Sequence, residues 1–142
     1  LHTLKPNRME ADLLSGVRIH DASDLPRAAE NLLATGLQRV FISLGGDGIY
    51  ATDREQSVQL PCFPTEPVNL TGTGDAMMAG LIWGMIHGMT LEATAAAGLA
   101  AASIAAEGKH TVNPALNPAL LMDRMLHSFV QKVKQPFSTQ RR

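Results

Sequence analysis

The chain of 142 residues contains very little cysteine, few aromatic residues and almost no net charge. Cys62 is its one cysteine, so no disulfide can form within the chain, which favours a reducing compartment. One Trp, one Tyr and four Phe are scattered along the sequence, which argues against a surface that stacks nucleic-acid bases. The net charge of −1 comes without a basic stripe, so we expect no nucleic-acid partner.

A long hydrophobic run is also lacking. The apolar stretch after Asp75 is far shorter than the ~18 residues that a membrane span needs, and no basic-then-apolar leader occurs. We therefore expect a soluble cytoplasmic protein with no membrane partner. The apolar fraction of 45% and the length of 142 residues indicate one globular domain with a core. Because the chain begins at Leu1 rather than Met, we expect it to be part of a longer protein.

The first part of the chain predicts alternating strands and helices. "HTLK" is typical of a short strand and "NRMEADLLSG" of a short helix that ends at Gly16. "DASDLPRAAENLLATG" predicts an amphipathic helix capped by Ser23 or Asp24, with Pro26 in its first turn. "RVFISL" is a continuous apolar run, as expected for a strand that is covered on both faces.

The rest of the chain predicts a turn, two strands and three helices. "GGDG" is a turn signal, and "IYATD" and "SVQLPCF" are typical of strands. Helices are expected over residues 75–88, 90–107 and 117–133, with a flexible tail at 135–142. This order of elements favours an α/β sandwich with at least one parallel crossover. Ligands of such sheets bind beyond the carboxyl ends of the strands, where "KPN", "GGDG" and "NLTGTGD" all fall.

The segment "TGTGD" places two glycines and a carboxylate at the start of an apolar helix. The backbone N–H groups of Gly72, Thr73 and Gly74 would face an anion such as a phosphate, which a helix N-terminus attracts. Asp75 would then offer a carboxylate that accepts a hydrogen bond from a substrate hydroxyl. The alternative is that Asp75 is an ordinary N-cap.

Two further segments combine glycines or polar groups at a strand end. In "SLGGDGIY", Gly45, Gly46 and Gly48 could open a pocket for the phosphates or ribose of a nucleotide, with Ser43 offering a hydroxyl, or the segment could simply form a hairpin turn. In "KPNRME", Asn7 and Glu10 lie three residues apart, and their oxygens would suit a hydrated magnesium ion. The alternative for this pair is a capping box at the start of a helix.

These three segments, in this order, resemble the C-terminal half of a ribokinase-like carbohydrate kinase of the PfkB family. Asn7 and Glu10 match its Asn-x-x-Glu element, and "SLGGDG" matches its Thr/Ser-Leu-Gly-x-x-Gly element. "NLTGTGD" matches its hallmark Asp-Thr-x-Gly-Ala-Gly-Asp. The resemblance covers residues 1–134 and implies the C-terminal portion of a three-layer α/β/α sandwich that binds ATP and carries out catalysis.

The resemblance also implies a role for each matched residue. Asp75 would be the base for the sugar hydroxyl, and the amides of Gly72, Thr73 and Gly74 would form the anion hole. The nucleotide would be bound by Ser43, Gly45 and Gly48. The Mg²⁺ ion and its waters would be organised by Asn7 and Glu10. The loop 107–113 would lie near the adenine.

The resemblance further implies ATP-dependent phosphorylation of a small-molecule nucleoside or sugar. "HTLKPNRMEA" and "VNLTGTGDAMMAGL" are most similar to members that act on pseudouridine, while ribose or fructose remain alternatives. A nucleotide-binding module without catalytic activity is a further alternative. Asn69 and Leu70 replace the Asp-Thr that in many members helps to bind a monovalent cation, so activation by potassium stays open. The full-length protein could be a homodimer.

Overall fold

The computed structural model describes residues 2–64, 71–108 and 119–126. The chain divides into two compact units. The first consists of Leu1–Cys62 and Gly88–Ala95, and the second of Phe63–His87 and Ala96–Arg142.

A four-stranded sheet lies in the first unit, with the strands in the order of the chain. Its members are β1 (Thr3–Leu4), β2 (Arg39–Ser43), β3 (Ile49–Asp53) and β4 (Ser57–Leu60). Strands β1 and β2 are parallel, while β2–β3 and β3–β4 are antiparallel. The parallel crossover expected from the sequence is therefore confirmed, although the last strand ends at Leu60 and not within "PCF".

Two helices connect β1 to β2, namely α1 (Arg8–Ser15) and α2 (Leu25–Leu33). They share one hydrophobic core with the sheet, made of Ala11, Val17, Ile19, Leu25, Ala28, Ala29, Leu32, Leu37, Val40, Ile42 and Tyr50. All three central residues of β2 are buried, so both faces of this strand are covered, as its unbroken apolar run predicts. Helix α1 ends at Gly16 in the left-handed conformation, also as predicted.

The predicted cap of α2 is confirmed in position only. Asp24 is the N-cap residue, but its side chain makes no capping bond to the helix, because residues 22–24 form a 3₁₀ turn that precedes it. Asp21 caps that turn instead: its Oδ1 accepts hydrogen bonds from the N–H and hydroxyl of Ser23. These bonds lower the pKa of the Asp21 carboxyl, with the hydroxyl contributing most.

The second unit is built on two helices that approach very closely. They are α3 (Thr73–Ile86) and the part of α4 (Leu91–Ala106) that follows Ala95. A Cβ placed on Gly80 of α3 would lie 2.5 Å from the Ala97 carbonyl oxygen, and one on Gly98 would lie 2.7 Å from Leu81. Glycine is therefore required at Gly80, where the contact is with backbone, while a side chain at Gly98 would first have to displace that of Leu81.

The remaining helical segment is residues 119–126. Arg124 on this segment forms an ion pair with Glu107 and donates a hydrogen bond to the Ser103 hydroxyl at 2.9 Å. The predicted helix over 117–133 is confirmed for these residues; its other residues, the tail 135–142 and most of the loop 107–113 lie outside the described part. In that part, no helix has the length and apolarity that crossing a bilayer would require.

Candidate active site

The Asn7–Glu10 element forms a complete capping box at the start of α1. The Asn7 Oδ1 accepts the Glu10 N–H at 2.8 Å, and the Glu10 Oε1 accepts the Asn7 N–H at 2.9 Å. The capping interpretation is thus confirmed. It occupies one oxygen of each side chain and leaves the Glu10 Oε2 for another ligand, because a carboxylate has about four acceptor positions. Both residues are exposed.

The structure brings the Asn7–Glu10 element beside the glycine turn that follows β2. Asn7 and Ser43 pair as an isolated parallel bridge, and the Ser43 N–H donates to the Pro6 carbonyl at 3.0 Å. The ends of β1 and β2 therefore present Asn7 and Ser43 side by side at the carboxyl edge of the parallel pair. This is the edge at which open α/β sheets bind ligands.

The turn itself is a short 3₁₀ segment, Gly45–Asp47, closed by Gly48. The Leu44 N–H donates to the Gly48 carbonyl at 2.9 Å, and the Gly48 N–H donates to the Gly45 carbonyl at 3.2 Å. Since it joins antiparallel strands, the hairpin interpretation is confirmed. Gly45 and Gly46 are exposed, and a Cβ on either would meet no described atom within 4 Å, so a ligand could reach their backbone.

Gly48 is needed for packing. It has φ +97°, and a Cβ there would lie 1.9 Å from the Leu60 carbonyl oxygen and 2.9 Å from the Pro61 Cα. The end of β4 is therefore pressed against this residue, which leaves no room for a side chain. This requirement alone accounts for a glycine here, whatever Gly48 contributes to a nucleotide site.

Gly72 is the N-cap residue of α3, which excludes one of the two interpretations of Asp75. It has φ +82° and carries no side chain that could accept a hydrogen bond. The first bond of the helix runs from the Ala76 N–H to the Gly72 carbonyl at 3.0 Å. Asp75 is the third residue of the helix, so the N-cap interpretation is wrong. The amides of Gly74 and Asp75 have no carbonyl partner within the helix.

In the described part of the chain, neither packing nor backbone conformation requires a glycine at position 74, and Asp75 does not cap its helix. A Cβ on Gly74 would meet no described atom within 4 Å, and its φ is not positive. Alanine would be the better residue here by about 0.5–1 kcal/mol on helix propensity alone. Asp75 is exposed and is not the N-cap of its helix. An anion that approaches the backbone would explain the glycine, and a neutral donor such as a substrate hydroxyl would suit the carboxylate.

The predicted residues thus fall into two groups. Asn7, Glu10 and the Ser43–Gly48 turn lie together in the first unit, while the Gly72–Asp75 helix start lies in the second. Asn69 and Leu70 lie outside the described residues. No group of three or more His, Cys, Asp or Glu side chains that could hold a metal is present in residues 2–64, 71–108 and 119–126. A Mg²⁺ ion that keeps most of its waters needs no such group, so the donors present fit it.

One residue with a contact to the turn was missed from the sequence. The Cys62 Sγ donates a hydrogen bond to the Gly45 carbonyl at 3.1 Å. The sequence shows only an isolated cysteine after a strand, and the strand pairing that brings it to the turn is a long-range feature. Nothing local in the sequence could have indicated it.

Comparison with known proteins identifies the family of the chain. The model of the pfkB family of carbohydrate kinases matches residues 1–118. The chain belongs to the pfkB family of carbohydrate kinases. Members of this family are phosphotransferases, and the α/β, ribokinase-like fold class expected from the sequence is confirmed.

The chain spans less than half the length of each of the three relatives named here. The chain is 46% identical over 83 residues to the pseudouridine kinase of Escherichia coli (strain K12), which covers 57% of this chain and 26% of that enzyme. A candidate sugar kinase from Clostridium perfringens superposes with a TM-score of 0.82 at 31% identity, over 89% of this chain and 40% of that one. Arabidopsis thaliana ribokinase complexed with ribose and ATP shares the fold, with a TM-score of 0.78 at 23% identity, over 88% and 41%.

Proposed function

We propose that this chain is the ATP-binding and catalytic part of a kinase that phosphorylates the sugar hydroxyl of a nucleoside or sugar. The observation that supports this most is the start of α3, where packing among the described residues does not require Gly74 and Asp75 is not the N-cap. Membership of a family of carbohydrate kinases gives those two residues a chemical purpose. The lone Cys62 is compatible with work in the cytoplasm.

In this proposal the start of α3 provides both the base and the anion hole. Asp75 orients the acceptor hydroxyl and takes its proton late, as the new phosphate ester forms. The backbone N–H groups of Gly72, Thr73 and Gly74 stabilise the charge on the phosphoryl group that is being transferred. ATP supplies that phosphoryl group. Phosphoryl transfer asks a protein mainly for such positioning and charge stabilisation, and for no covalent intermediate.

The first unit would hold the nucleotide and its metal. The hydroxyl of Ser43 and the backbone of Gly45 and Gly48 would bind the phosphates or ribose. Asn7 and Glu10 would organise Mg²⁺ through its waters, since their capping bonds leave further polar positions exposed. The role of a monovalent cation stays open, because it concerns Asn69 and Leu70.

Replacing Glu10 by glutamine tests the metal role. Glutamine can keep the capping bond, because its side-chain oxygen can accept the Asn7 N–H. We therefore expect little change in melting temperature and a clear rise in the Mg²⁺ concentration needed for half-maximal rate, because a neutral amide attracts the cation less. A magnesium titration and a thermal melt give the two quantities. A lower melting temperature with an unchanged magnesium titration would leave Glu10 with a capping role alone.

Pseudouridine, converted to pseudouridine 5′-phosphate, is the proposed substrate. The support is the 46% identity to a pseudouridine kinase, which exceeds the identity to the other relatives named above. That similarity covers 26% of the enzyme's length, so ribose, fructose or another nucleoside are the competing substrates. In a complete kinase the partner would be this small molecule, and the assembly could be a homodimer.

An assay with the chain alone and with a completed kinase tests the proposal. For the completed kinase, this chain replaces the residues that it matches in the E. coli pseudouridine kinase. We expect weak ATP binding but no turnover by the 142-residue chain, and phosphorylation of pseudouridine in preference to ribose or fructose by the chimera. Rapid turnover by the chain alone would contradict the idea that part of the site is missing. A folded chimera that binds ATP without any turnover would favour a non-catalytic module.

A further inference from the structure

The end of β4 and the residues that follow it contact the glycine turn between β2 and β3. The Cys62 thiol donates to the Gly45 carbonyl at 3.1 Å, and the Leu60 carbonyl lies 1.9 Å from where a Gly48 Cβ would be. The contacts therefore reach the first and the last residue of the turn. The turn and Cys62 both belong to the first unit of the structure.

The contact with Gly45 has a geometric consequence for the next amide. In a trans peptide the C=O and the following N–H point in opposite directions from one plane. The Gly45 carbonyl is held by two donors, the Cys62 thiol and the Gly48 N–H. The Gly46 N–H must then point away from Cys62, and Gly46 itself is exposed. Without the thiol, one donor fewer opposes rotation of this peptide, which glycines on both sides make easy.

The chemical state of the thiol suits this role. Partial burial raises the pKa of the Cys62 thiol, and the negative charge of Asp47 adds to the rise, while a hydrogen bond from the Gly48 N–H opposes it. The thiol therefore stays protonated at neutral pH and remains a donor. A thiolate in its place would repel the carbonyl oxygen of Gly45.

We propose that Cys62 is a positioning residue for the nucleotide: it holds the Gly45–Gly46 peptide so that the Gly46 N–H faces the phosphates. This rests on the proposed function, because it takes the Ser43–Gly48 turn as the nucleotide-binding turn. Cys62 itself contacts only the protein. Its effect on the ligand is exerted through the orientation of one amide.

The test uses three variants of the 142-residue chain. Cys62→Ala removes the donor, Cys62→Ser keeps one, and Gln59→Ala is the control, on the exposed Gln59 of β4, the strand that precedes Cys62. Amide hydrogen exchange followed by NMR reports the turn, and calorimetric titration with ATP and Mg²⁺ reports the nucleotide. For Cys62→Ala we expect faster exchange at Gly48 and an ATP affinity lower by about three- to tenfold, the effect of one lost hydrogen bond.

Cys62→Ser and Gln59→Ala should both stay within about twofold of the parent chain in exchange and affinity. Unchanged exchange of the turn amides in Cys62→Ala would overturn the positioning role, whatever the titration shows. Faster exchange with unchanged ATP affinity would overturn the link between turn and nucleotide. If the parent chain itself fails to bind ATP, the proposed nucleotide function of the turn fails with it, and the exchange data still show whether the thiol holds the turn.

Discussion

Replacing Asp75 by asparagine is expected to lower the kcat of the completed kinase by ~10²–10⁴, the usual effect of losing a general base. Asparagine can still orient a hydroxyl, but it cannot take its proton at neutral pH. Because Gly72 and not Asp75 caps α3, the change removes no capping bond. Its structural cost is limited to the interaction of a carboxylate with the helix N-terminus, about 0.3–1 kcal/mol.

The measurements are kcat, ATP affinity and melting temperature of the chimera with and without the substitution. A kcat that stays within a few-fold of the parent would remove Asp75 from the chemistry and, with it, the central assignment. Gly74→Ala is the companion variant. Its Cβ meets no described atom, so the fold should be kept or slightly stabilised. Turnover should fall all the same, because the methyl group would lie where the phosphoryl group approaches the backbone.

Replacing Gly48 by alanine is expected to destabilise the isolated chain by about 2–4 kcal/mol. Two costs combine. The residue has φ +97°, where L side chains are strained, and the new Cβ would overlap the Leu60 carbonyl oxygen at 1.9 Å. Since that oxygen belongs to the backbone, the end of β4 would have to move. Urea unfolding, with a thermal melt beside it, measures the loss.

Gly46→Ala in the same turn is the matched control. Its φ is not positive, and an added Cβ meets no described atom within 4 Å. The control should therefore stay within about 0.5 kcal/mol of the parent, as is usual for exposed positions. Equal losses in the two variants would mean that the turn tolerates no side chain at all, and that the contact with β4 is not the cause.

The elements with a strong local pattern could be predicted from the sequence. The apolar run of β2, the stop at Gly16 and the capping box at Asn7 depend on neighbours within a few residues, and all are observed. The order of elements also predicted a parallel crossover, which the pairing of β1 with β2 provides. These features follow from periodicity and capping chemistry, which a single sequence contains.

What could not be predicted depends on contacts between distant residues. The sequence offered both a cap and a base for Asp75, and excluding the cap required the backbone of Gly72, which is the N-cap residue of the helix. The packing need for Gly48 required the position of Leu60, which strand pairing sets. The capping bond expected at the start of α2 is absent because a 3₁₀ turn precedes the helix, and sequence spacing does not rank the several polar residues in a row that compete for that role.

The glycines of the α3–α4 crossing have a consequence for where Asp75 stands. Gly80 meets the Ala97 backbone with no side chain between, so a larger residue there shifts the axis of α3 instead of rotating one of its own bonds. Gly80 lies five residues after Asp75, a rise of about 7.5 Å along the helix. A stiff helix carries a displacement over that distance almost undiminished. The coordinates of the proposed base are therefore set at Gly80 as well, and a substitution there could misalign the chemistry while every residue at the start of α3 stays the same.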